Sequence, residues 1–306
     1  MPILCLFFLT TMTLLGGLQA APPSIIGRWD ITIQRPDGDR SAWLEVRHSG
    51  VRTLVGQFVG MSGSARPIAQ VDFNAGEMRF SIPPQWERVD GNVSVVGHLD
   101  GDRMTGSITL GNGTPIQWTA VRAPSLRRAT APQWGPAVPL VNGRDLTGWH
   151  AMGANEWTVE NGVLRNRKSG GNLVTDQTFD DFTLHAEFRY PAGGNSGVYL
   201  RGRYEVQIAD TPSDELTTGS LGSVYGFLAP ADMAARKPGE WQTFDITLVG
   251  RMVTVVLNGT TIISNREIPG ITGAALDSHE GKPGPLLLQG DHGPIEFRNL
   301  TLQRPR

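Results

Sequence analysis

Hydrophobic and polar residues alternate in short runs from residue 24 to residue 123. Typical runs are GRWDITIQ at 27–34 and EMRFSIP at 77–83. Alternation with a period of two is typical of a half-buried β-strand, and the Asn-Ala-Gly, Asp-Gly-Asp and Gly-Asn-Gly triplets between runs favour hairpin turns. The pattern predicts about seven meandering strands, which suit a small antiparallel β-barrel or sandwich over residues 24–123.

A second region of short alternating runs extends from residue 138 to residue 306. The runs DFTLHAEFRYP at 181–191 and VVLNGTTII at 255–263 are examples, and the second holds an Asn-Gly turn. Regular spacing of such runs is typical of a two-sheet β-sandwich. Residues 124–137, which are rich in proline and show no periodicity, are predicted to form an extended linker. The sequence therefore predicts an all-β protein with two units.

The first 21 residues have the pattern of a targeting segment. Residues 2–20 are apolar and uncharged, and small residues follow at Ala20-Ala21. This is typical of a secretory signal peptide that is removed on export, so we expect a periplasmic or extracellular protein with no membrane span in its mature form. Cys5, the single cysteine, lies inside this segment, so the mature chain has no disulfide and no cysteine ligand for a metal.

Charge and motifs exclude several functions. The formal net charge is −2 and the basic residues form no block, which argues against nucleic-acid binding. The sequence has no His-Glu-x-x-His metalloprotease motif and no Gly-x-Ser-x-Gly nucleophile motif. Nothing in the pattern indicates an oligomeric state.

The stretch GGNSGVYLRGRYEVQIAD at 193–210 combines a strand pattern with many charges. If the stretch is one strand, its apolar residues are all at even-numbered positions and lie on one face: Val198, Leu200, Tyr204, Val206 and Ile208. Its polar residues share the other: Arg201, Arg203, Glu205 and Gln207. Because side chains alternate across a strand, the polar set is predicted to face outward. There it could line a sugar-binding groove, or it could form the ordinary solvated face of a sheet. The glycines around Asn195 leave room for close approach of a ligand or of a neighbouring backbone.

Several blocks of the second region match one family in order. They are LVNGRDLTGWH at 140–150, WTVENGVLRN at 157–166, the block at 170–210, YGFLAP at 225–230, the block at 237–259 and LLLQGDHGPIEFRNLTL at 286–302. In these blocks the chain resembles the 3-keto-disaccharide hydrolase domain family. The resemblance implies a concanavalin A-like jelly-roll sandwich that acts on oxidised sugars. Gly290 is an extra glycine relative to the family's Leu-Gln-Asp-His-Gly, which puts the face of Asp291 in question. Gly-Arg-Trp at 27–29 gives the first unit a resemblance, limited to this short motif, to lipocalin-like barrels.

The activity that the resemblance implies calls for particular chemical groups. A carbonyl group at C3 of a sugar acidifies the hydrogen at C2, so the site needs a base, a stabiliser for the enolate oxygen and a donor for the leaving oxygen. Glu205 or His292 is the candidate base, and Arg201 or a bound divalent cation is the candidate stabiliser. Asp291 is expected to orient His292 or to bind that cation, with Glu205 and His292 as the other candidate metal ligands. The candidate substrate-binding residues are Gln207, Arg203, Tyr225, Gln289 and Asn195.

Two functions follow as alternatives. The first is an exported enzyme that cleaves 3-keto-glycosides or 3-keto-disaccharides by removal of the C2 proton, elimination and hydration. The second is a lectin-like module that binds a carbohydrate without cleaving it, because the same fold serves both purposes. The first unit has no motif of its own. Its Trp43 and Trp86 could serve as sugar platforms, although a buried tryptophan is the more common outcome in a barrel.

Overall fold

The computed structural model describes residues 24–211 and 215–306. These residues form 22 strands and no helix, which confirms the predicted all-β class. No helix in this part of the chain could therefore cross a membrane. The predicted signal peptide at 1–21 lies outside the described residues.

The N-terminal unit, residues 24–123, is a single nine-stranded antiparallel sheet. Its strands are β1 (Gly27–Ile33), β2 (Arg40–Ser49), β3 (Thr53–Val59), β4 (Arg66–Ile68), β5 (Asp72–Asn74), β6 (Glu77–Ile82), β7 (Val93–Asp100), β8 (Arg103–Leu110) and β9 (Ile116–Arg122). They follow the order β4-β3-β2-β1-β9-β8-β7-β6-β5, in which β1 pairs with the last strand, β9. The sheet curls around a core that contains Trp118. A Cβ atom on Gly106 would lie 2.5 Å from this indole, so the glycine makes room for it.

The C-terminal unit, residues 138–306, is a sandwich of two antiparallel sheets. Its strands are β10 (Val138–Pro139), β11 (Trp149–Met152), β12 (Trp157–Glu160), β13 (Val163–Asn166), β14 (Asn172–Phe179), β15 (Phe182–Arg189), β16 (Asn195–Leu200), β17 (Tyr204–Ala209), β18 (Gln242–Val249), β19 (Met252–Leu257), β20 (Thr260–Glu267), β21 (Gly284–Leu288) and β22 (Ile295–Gln303). The larger sheet has the order β12-β13-β22-β15-β18-β19-β20, with β10 beside β22, and the smaller has the order β11-β14-β21-β16-β17. Buried apolar side chains from both sheets form the core between them.

The stretch at 193–210 is a hairpin rather than the single strand that the sequence pattern predicted. β16 ends at Leu200, and β17 begins at Tyr204 after a three-residue turn. Arg201 has a φ of 53° and Gly202 has a φ of 66°, which reverses the chain. Leu200 lies opposite Tyr204 and Tyr199 lies opposite Glu205. The turn preserves parity across the hairpin, so the apolar residues of both strands still face the core.

The two units pack closely against each other. Three glycines of the C-terminal unit leave room for the backbone or side chains of the N-terminal unit. A Cβ atom on Gly226 would lie 2.8 Å from the Ala65 nitrogen. A Cβ atom on Gly270 would lie 2.1 Å from Trp43 Nε1, and one on Gly273 would lie 2.2 Å from the Gly63 oxygen. Trp43 is fully buried at this contact, edge-on to Phe227, so it does not form the sugar platform considered from the sequence.

The segment predicted as a linker is held against the C-terminal unit. Arg128 forms ion pairs of 2.7 Å with Asp180 and 2.6 Å with Asp181. The Leu126 side chain is buried, and a Cβ atom on Gly250 would lie 1.8 Å from the Leu126 oxygen. The segment therefore follows the surface of the C-terminal unit and does not act as a free spacer.

Candidate active site

The hairpin of β16 and β17 forms one wall of a cavity of about 400 Å³, and loops of the N-terminal unit form another. Its lining residues are Ser62, Gly63, Trp86, Asn195, Tyr199, Glu205, Gln207, Tyr225, Gly273, Ala274, Gln289 and His292. This set includes six of the nine predicted site residues. A cavity with a few convergent polar groups is the usual form of a small-molecule site.

The strand register explains how the carboxyl group of Glu205 reaches the cavity. Tyr199 and Gly197 of β16 lie opposite Glu205 and Gln207 of β17, so all four positions share the outer face of the hairpin. A Cβ atom on Gly197 would lie 2.3 Å from Glu205 Oε1. Gly197 therefore provides the space that the Glu205 carboxyl group occupies.

The environment of Glu205 favours its protonated form. The side chain is buried and accepts a hydrogen bond of 2.9 Å from the Tyr199 hydroxyl group. Burial raises the pKa of Glu205 to about 8, while the Tyr199 hydrogen bond and the nearby His292 act in the opposite direction. Strongly perturbed carboxyl groups in a cavity are common at catalytic sites.

His292 and Asp291 form a pair at the edge of the cavity. Nδ1 of His292 lies 2.7 Å from Oδ1 of Asp291, and both side chains are half-exposed. The hydrogen bond to Asp291 is the main cause that raises the pKa of His292, and the charge of Glu205 adds to it. The extra Gly290 lies at a close approach of chains, since a Cβ atom there would lie 2.5 Å from the Gly171 oxygen. The Asp291 side chain is hydrogen-bonded to His292 and is not among the residues that line the cavity, which answers the question raised by the extra glycine.

Three carboxamides of the cavity wall have unused acceptors. The side-chain oxygens of Asn195, Gln207 and Gln289 are buried and have no hydrogen-bond partner within the described residues. Buried polar atoms normally have a partner, so these three favour a ligand that supplies hydrogen-bond donors. Sugar hydroxyl groups are donors of this kind.

Arg201 and Arg203 do not line the cavity, which corrects the prediction that they share a groove with Glu205. The Arg201 side chain is fully buried, 3.1 Å from Asp180 and 3.2 Å from the Tyr204 hydroxyl group. Arg203 forms an ion pair of 2.8 Å with Asp277. The physical reason is the turn at 201–203, because both arginines lie in it or at its end and not along a continuous strand.

No metal site is evident at this cavity. Across residues 24–211 and 215–306, no group of three or more His, Cys, Asp or Glu side chains is arranged to hold a metal ion. Of the candidate ligands Glu205, Asp291 and His292, the last two are hydrogen-bonded to each other.

Sequence reasoning missed two parts of the site. Tyr199 orients Glu205. Tyr199 has an odd residue number, like Glu205, and this shared parity was the signal that could have identified Tyr199. Ser62 and Gly63 reach the cavity from the N-terminal unit, and no local pattern marks them. Trp86, which was considered from the sequence as a sugar platform, also lines the cavity and is 63% exposed.

A second concavity, of about 520 Å³, lies elsewhere on the C-terminal unit. Its lining includes Arg165, Arg189 and Glu296. Glu296 pairs with Arg165 at 2.8 Å and with Arg189, so these charges satisfy one another. The cavity around Glu205, with its unpaired amide oxygens and perturbed carboxyl group, is the stronger candidate.

Comparison with known proteins gives relatives that match part of the chain. A curated protein of Bacteroides thetaiotaomicron named 3-keto-disaccharide hydrolase is 28% identical over 75 residues, which are 20% of this chain and 26% of the relative. The chain thus spans about a quarter of the length of that relative. Two solved structures from Parabacteroides distasonis, each described as a putative glycosyl hydrolase, each cover 56% of this chain. One is 35% identical with 84% of its own chain covered and a TM-score of 0.48, and the other is 25% identical with 100% covered and a TM-score of 0.45.

A family model also matches more than half of the chain. Residues 136–303, which are 168 of the 306 residues, match the model described as the 3-keto-alpha-glucoside-1,2-lyase-like domain. The match extends from the end of the proline-rich segment through β22 and includes the hairpin and the Asp291-His292 pair. With more than half of its length in this match, the chain belongs to the 3-keto-alpha-glucoside-1,2-lyase-like domain family.

Proposed function

We propose that this protein cleaves 3-keto-glycosides by removing the proton at C2, eliminating the leaving group from C1 and adding water. The observation that carries the proposal is the buried carboxyl group of Glu205, which faces a cavity beside His292 and is oriented by Tyr199. Membership of the family and the name of the Bacteroides thetaiotaomicron relative support the substrate class.

The reaction balances without an external oxidant or reductant. Glu205 takes the C2 proton, and the electron pair of the C2–H bond forms a C2=C3 double bond while the carbonyl oxygen becomes an enolate. The enolate then returns to a carbonyl group, a C1=C2 double bond forms, and the C1–O bond breaks. The leaving oxygen takes a proton. Addition of water places a hydroxyl group at C1 and a hydrogen at C2, so the net reaction is hydrolysis.

Each side chain of the cavity has a role that fits its surroundings. An ionised Glu205 with a pKa of about 8 is a stronger base than an ordinary carboxylate, and its pKa lies close to neutral operating pH. His292, whose pKa is raised by Asp291, is suited to protonate the leaving oxygen. The Tyr225 hydroxyl group lies in the same cavity and can donate to the enolate oxygen, the role that the sequence suggested for Arg201.

Release of the leaving group tests the proposal directly. The protein is incubated with a 3-keto-glucoside and with the same glucoside unoxidised, and we expect release from the oxidised compound alone. Deuterium at C2 should slow release if C2–H cleavage is rate-limiting, and turnover in D₂O should place deuterium at C2 of the product. Removal of a general base typically costs roughly 10²- to 10⁴-fold in rate, so Glu205→Gln should lose at least about a hundredfold.

A matched control separates the candidate site from an ordinary surface pair. His150 and Asp176 form an exposed pair with the same 2.7 Å distance as His292 and Asp291, but His150 does not line the cavity. We expect His292→Ala to reduce release strongly and His150→Ala to leave it unchanged. Wild-type rates for both Glu205→Gln and His292→Ala would refute the assignment. Binding of the 3-keto-glucoside without release would favour the lectin alternative, and dialysis against a chelator tests a requirement for a divalent cation.

We propose further that the protein acts after export, on the basis of the apolar segment at 1–21. Expression of the full chain followed by N-terminal sequencing of the periplasmic or secreted fraction tests this. A product that begins at Ala21 or Pro22 supports it, and an uncleaved chain confined to the cytoplasm refutes it.

A further inference from the structure

The N-terminal unit contributes to the cavity although it lies outside the family match. Ser62, Gly63 and Trp86 line the cavity, whereas the matched region begins at residue 136. The contact is close, because a Cβ atom on Gly273 would lie 2.2 Å from the Gly63 oxygen, and the Ala274 N–H donates to the Met61 carbonyl at 3.1 Å. This wall is therefore supplied by residues outside the region that matches the family.

Trp86 is held in place by its own loop. The Glu87 carboxylate accepts hydrogen bonds from the backbone N–H groups of Gln85 at 2.6 Å and Trp86 at 3.1 Å. The same carboxylate pairs with Arg66 at 2.7 Å, and both of these side chains are largely buried. Trp86 is nevertheless 63% exposed. A large aromatic residue whose backbone is held by a largely buried ion pair and whose side chain is exposed at a cavity is a typical binding anchor.

Trp86 lies close to residues of both units. A Cβ atom on Gly63 would lie 2.7 Å from Trp86 Cδ1, so Gly63 permits this position of the ring. Trp86 and Tyr225 of the C-terminal unit line the same cavity. Burial raises the pKa of Tyr225, and the neighbouring Trp86 acts in the opposite direction.

We propose that Trp86, with the loop at 62–63, forms a subsite for the leaving group of the substrate. The proposal rests on the function proposed above. In the proposed reaction, C2 of the reacting ring lies at Glu205 and the hydroxyl groups of that ring lie at the carboxamides of the C-terminal unit. The group bonded to C1 then contacts the wall that the N-terminal unit supplies. The exposed face of an indole suits a leaving group with a flat apolar face, such as a second pyranose ring or an aromatic ring. A methyl leaving group is too small to cover it.

Three substrates test this subsite. Values of kcat/KM are measured for 3-keto-glucosides whose leaving groups are a second glucose, an aryl group and methanol, with wild type, Trp86→Ala and Trp86→Phe. Stacking against an aromatic ring contributes up to roughly tenfold, so Trp86→Ala should reduce kcat/KM about tenfold for a ring-bearing leaving group and leave the methyl compound unchanged. Loss for the disaccharide alone identifies a sugar subsite, and loss for the aryl compound alone identifies a site for an aromatic aglycone. Trp86→Phe keeps an aromatic ring and should restore most of the loss.

Equal loss for all three substrates would overturn the proposal, since Trp86 would then serve the reacting ring or the fold. No loss for any of them would overturn it as well. Calorimetric titration of wild type and Trp86→Ala with unoxidised disaccharide and methyl glucoside tests the subsite without turnover. A protein that binds the disaccharide through Trp86 and releases nothing from any keto-glycoside would refute the proposed reaction while supporting the subsite.

Discussion

The buried carboxyl group of Glu205 makes a quantitative prediction about stability as well as activity. Because burial raises its pKa in the folded protein to about 8, the folded state holds a proton that the unfolded state, with a value near 4.5, releases. A raised folded-state pKa contributes stability that is complete below the unfolded value and is lost as pH rises through the folded value. Wild-type protein should therefore become less stable between these two pH values because of this one group.

The variant Glu205→Gln removes the titratable carboxyl group and keeps the shape of the side chain. A glutamine side chain fits the same space over Gly197 and can still accept the Tyr199 hydrogen bond, but it does not ionise. The difference between pKa values of about 8 and 4.5 is about 3.5, and each pKa unit corresponds to about 1.36 kcal/mol, which gives a limit of about 5 kcal/mol. Of this, about 4 kcal/mol falls between pH 5 and pH 9.

Urea denaturation at a series of pH values measures this effect. The free energy of unfolding of Glu205→Gln minus that of wild type should increase by up to about 4 kcal/mol from pH 5 to pH 9. Asp30, whose pKa burial raises to about 9, also makes stability depend on pH, but it is present in both proteins and its effect cancels in the difference. A difference that stays flat over this range would show that Glu205 is already ionised in the folded protein, and the reasoning about its environment would be refuted.

Three further predictions follow from the contacts of the site. Gly197→Ala places a Cβ atom 2.3 Å from Glu205 Oε1, so displacement of the carboxyl group should reduce release from a 3-keto-glucoside on the order of a hundredfold; an unchanged rate would contradict this. Asp291→Asn removes the carboxylate charge and weakens the hydrogen bond, both of which raise the pKa of His292. NMR titration of the imidazole should therefore show a lower pKa, and an unchanged pKa would refute the pairing. Arg201→Met breaks buried contacts and should cost about 3 kcal/mol in denaturant unfolding with kcat nearly unchanged; loss of kcat at unchanged stability would return Arg201 to catalysis.

The fold was accessible from the sequence because its signals are local. Period-two alternation and turn residues at Asp-Gly and Asn-Gly depend on neighbouring residues only, and they indicated an all-β chain with two strand-rich regions. The parity of residues 204–208 also assigned the face of Glu205 and Gln207 correctly, because β17 contains both and side chains alternate along it.

The positions of the Arg201 and Arg203 side chains could not be predicted in the same way. The pattern at 193–210 reads equally well as one long strand or as two short ones, because the turn at 201–203 preserves the parity of the flanking residues. A positive φ at a non-glycine residue such as Arg201 leaves no mark in the alternation. Only the partners distant in sequence, Asp180 and Asp277, show that these guanidinium groups are structural.

One of those structural arginines, Arg203, nevertheless bears on the candidate site. Arg203 pairs with Asp277, and the neighbouring loop is joined to the hairpin by hydrogen bonds from Thr272 N–H to the Arg203 carbonyl at 2.9 Å and from the Glu205 N–H to Thr272 Oγ1 at 3.0 Å. The same loop carries Gly273, whose carbonyl lies 3.1 Å from the Tyr199 hydroxyl group and whose α-carbon packs against Gly63 of the N-terminal unit. One loop thus links the hairpin turn, the tyrosine that orients Glu205 and the wall that bears Trp86. Arg203 therefore acts through this loop, because it helps to fix the position of the groups that surround Glu205 without lining the cavity itself.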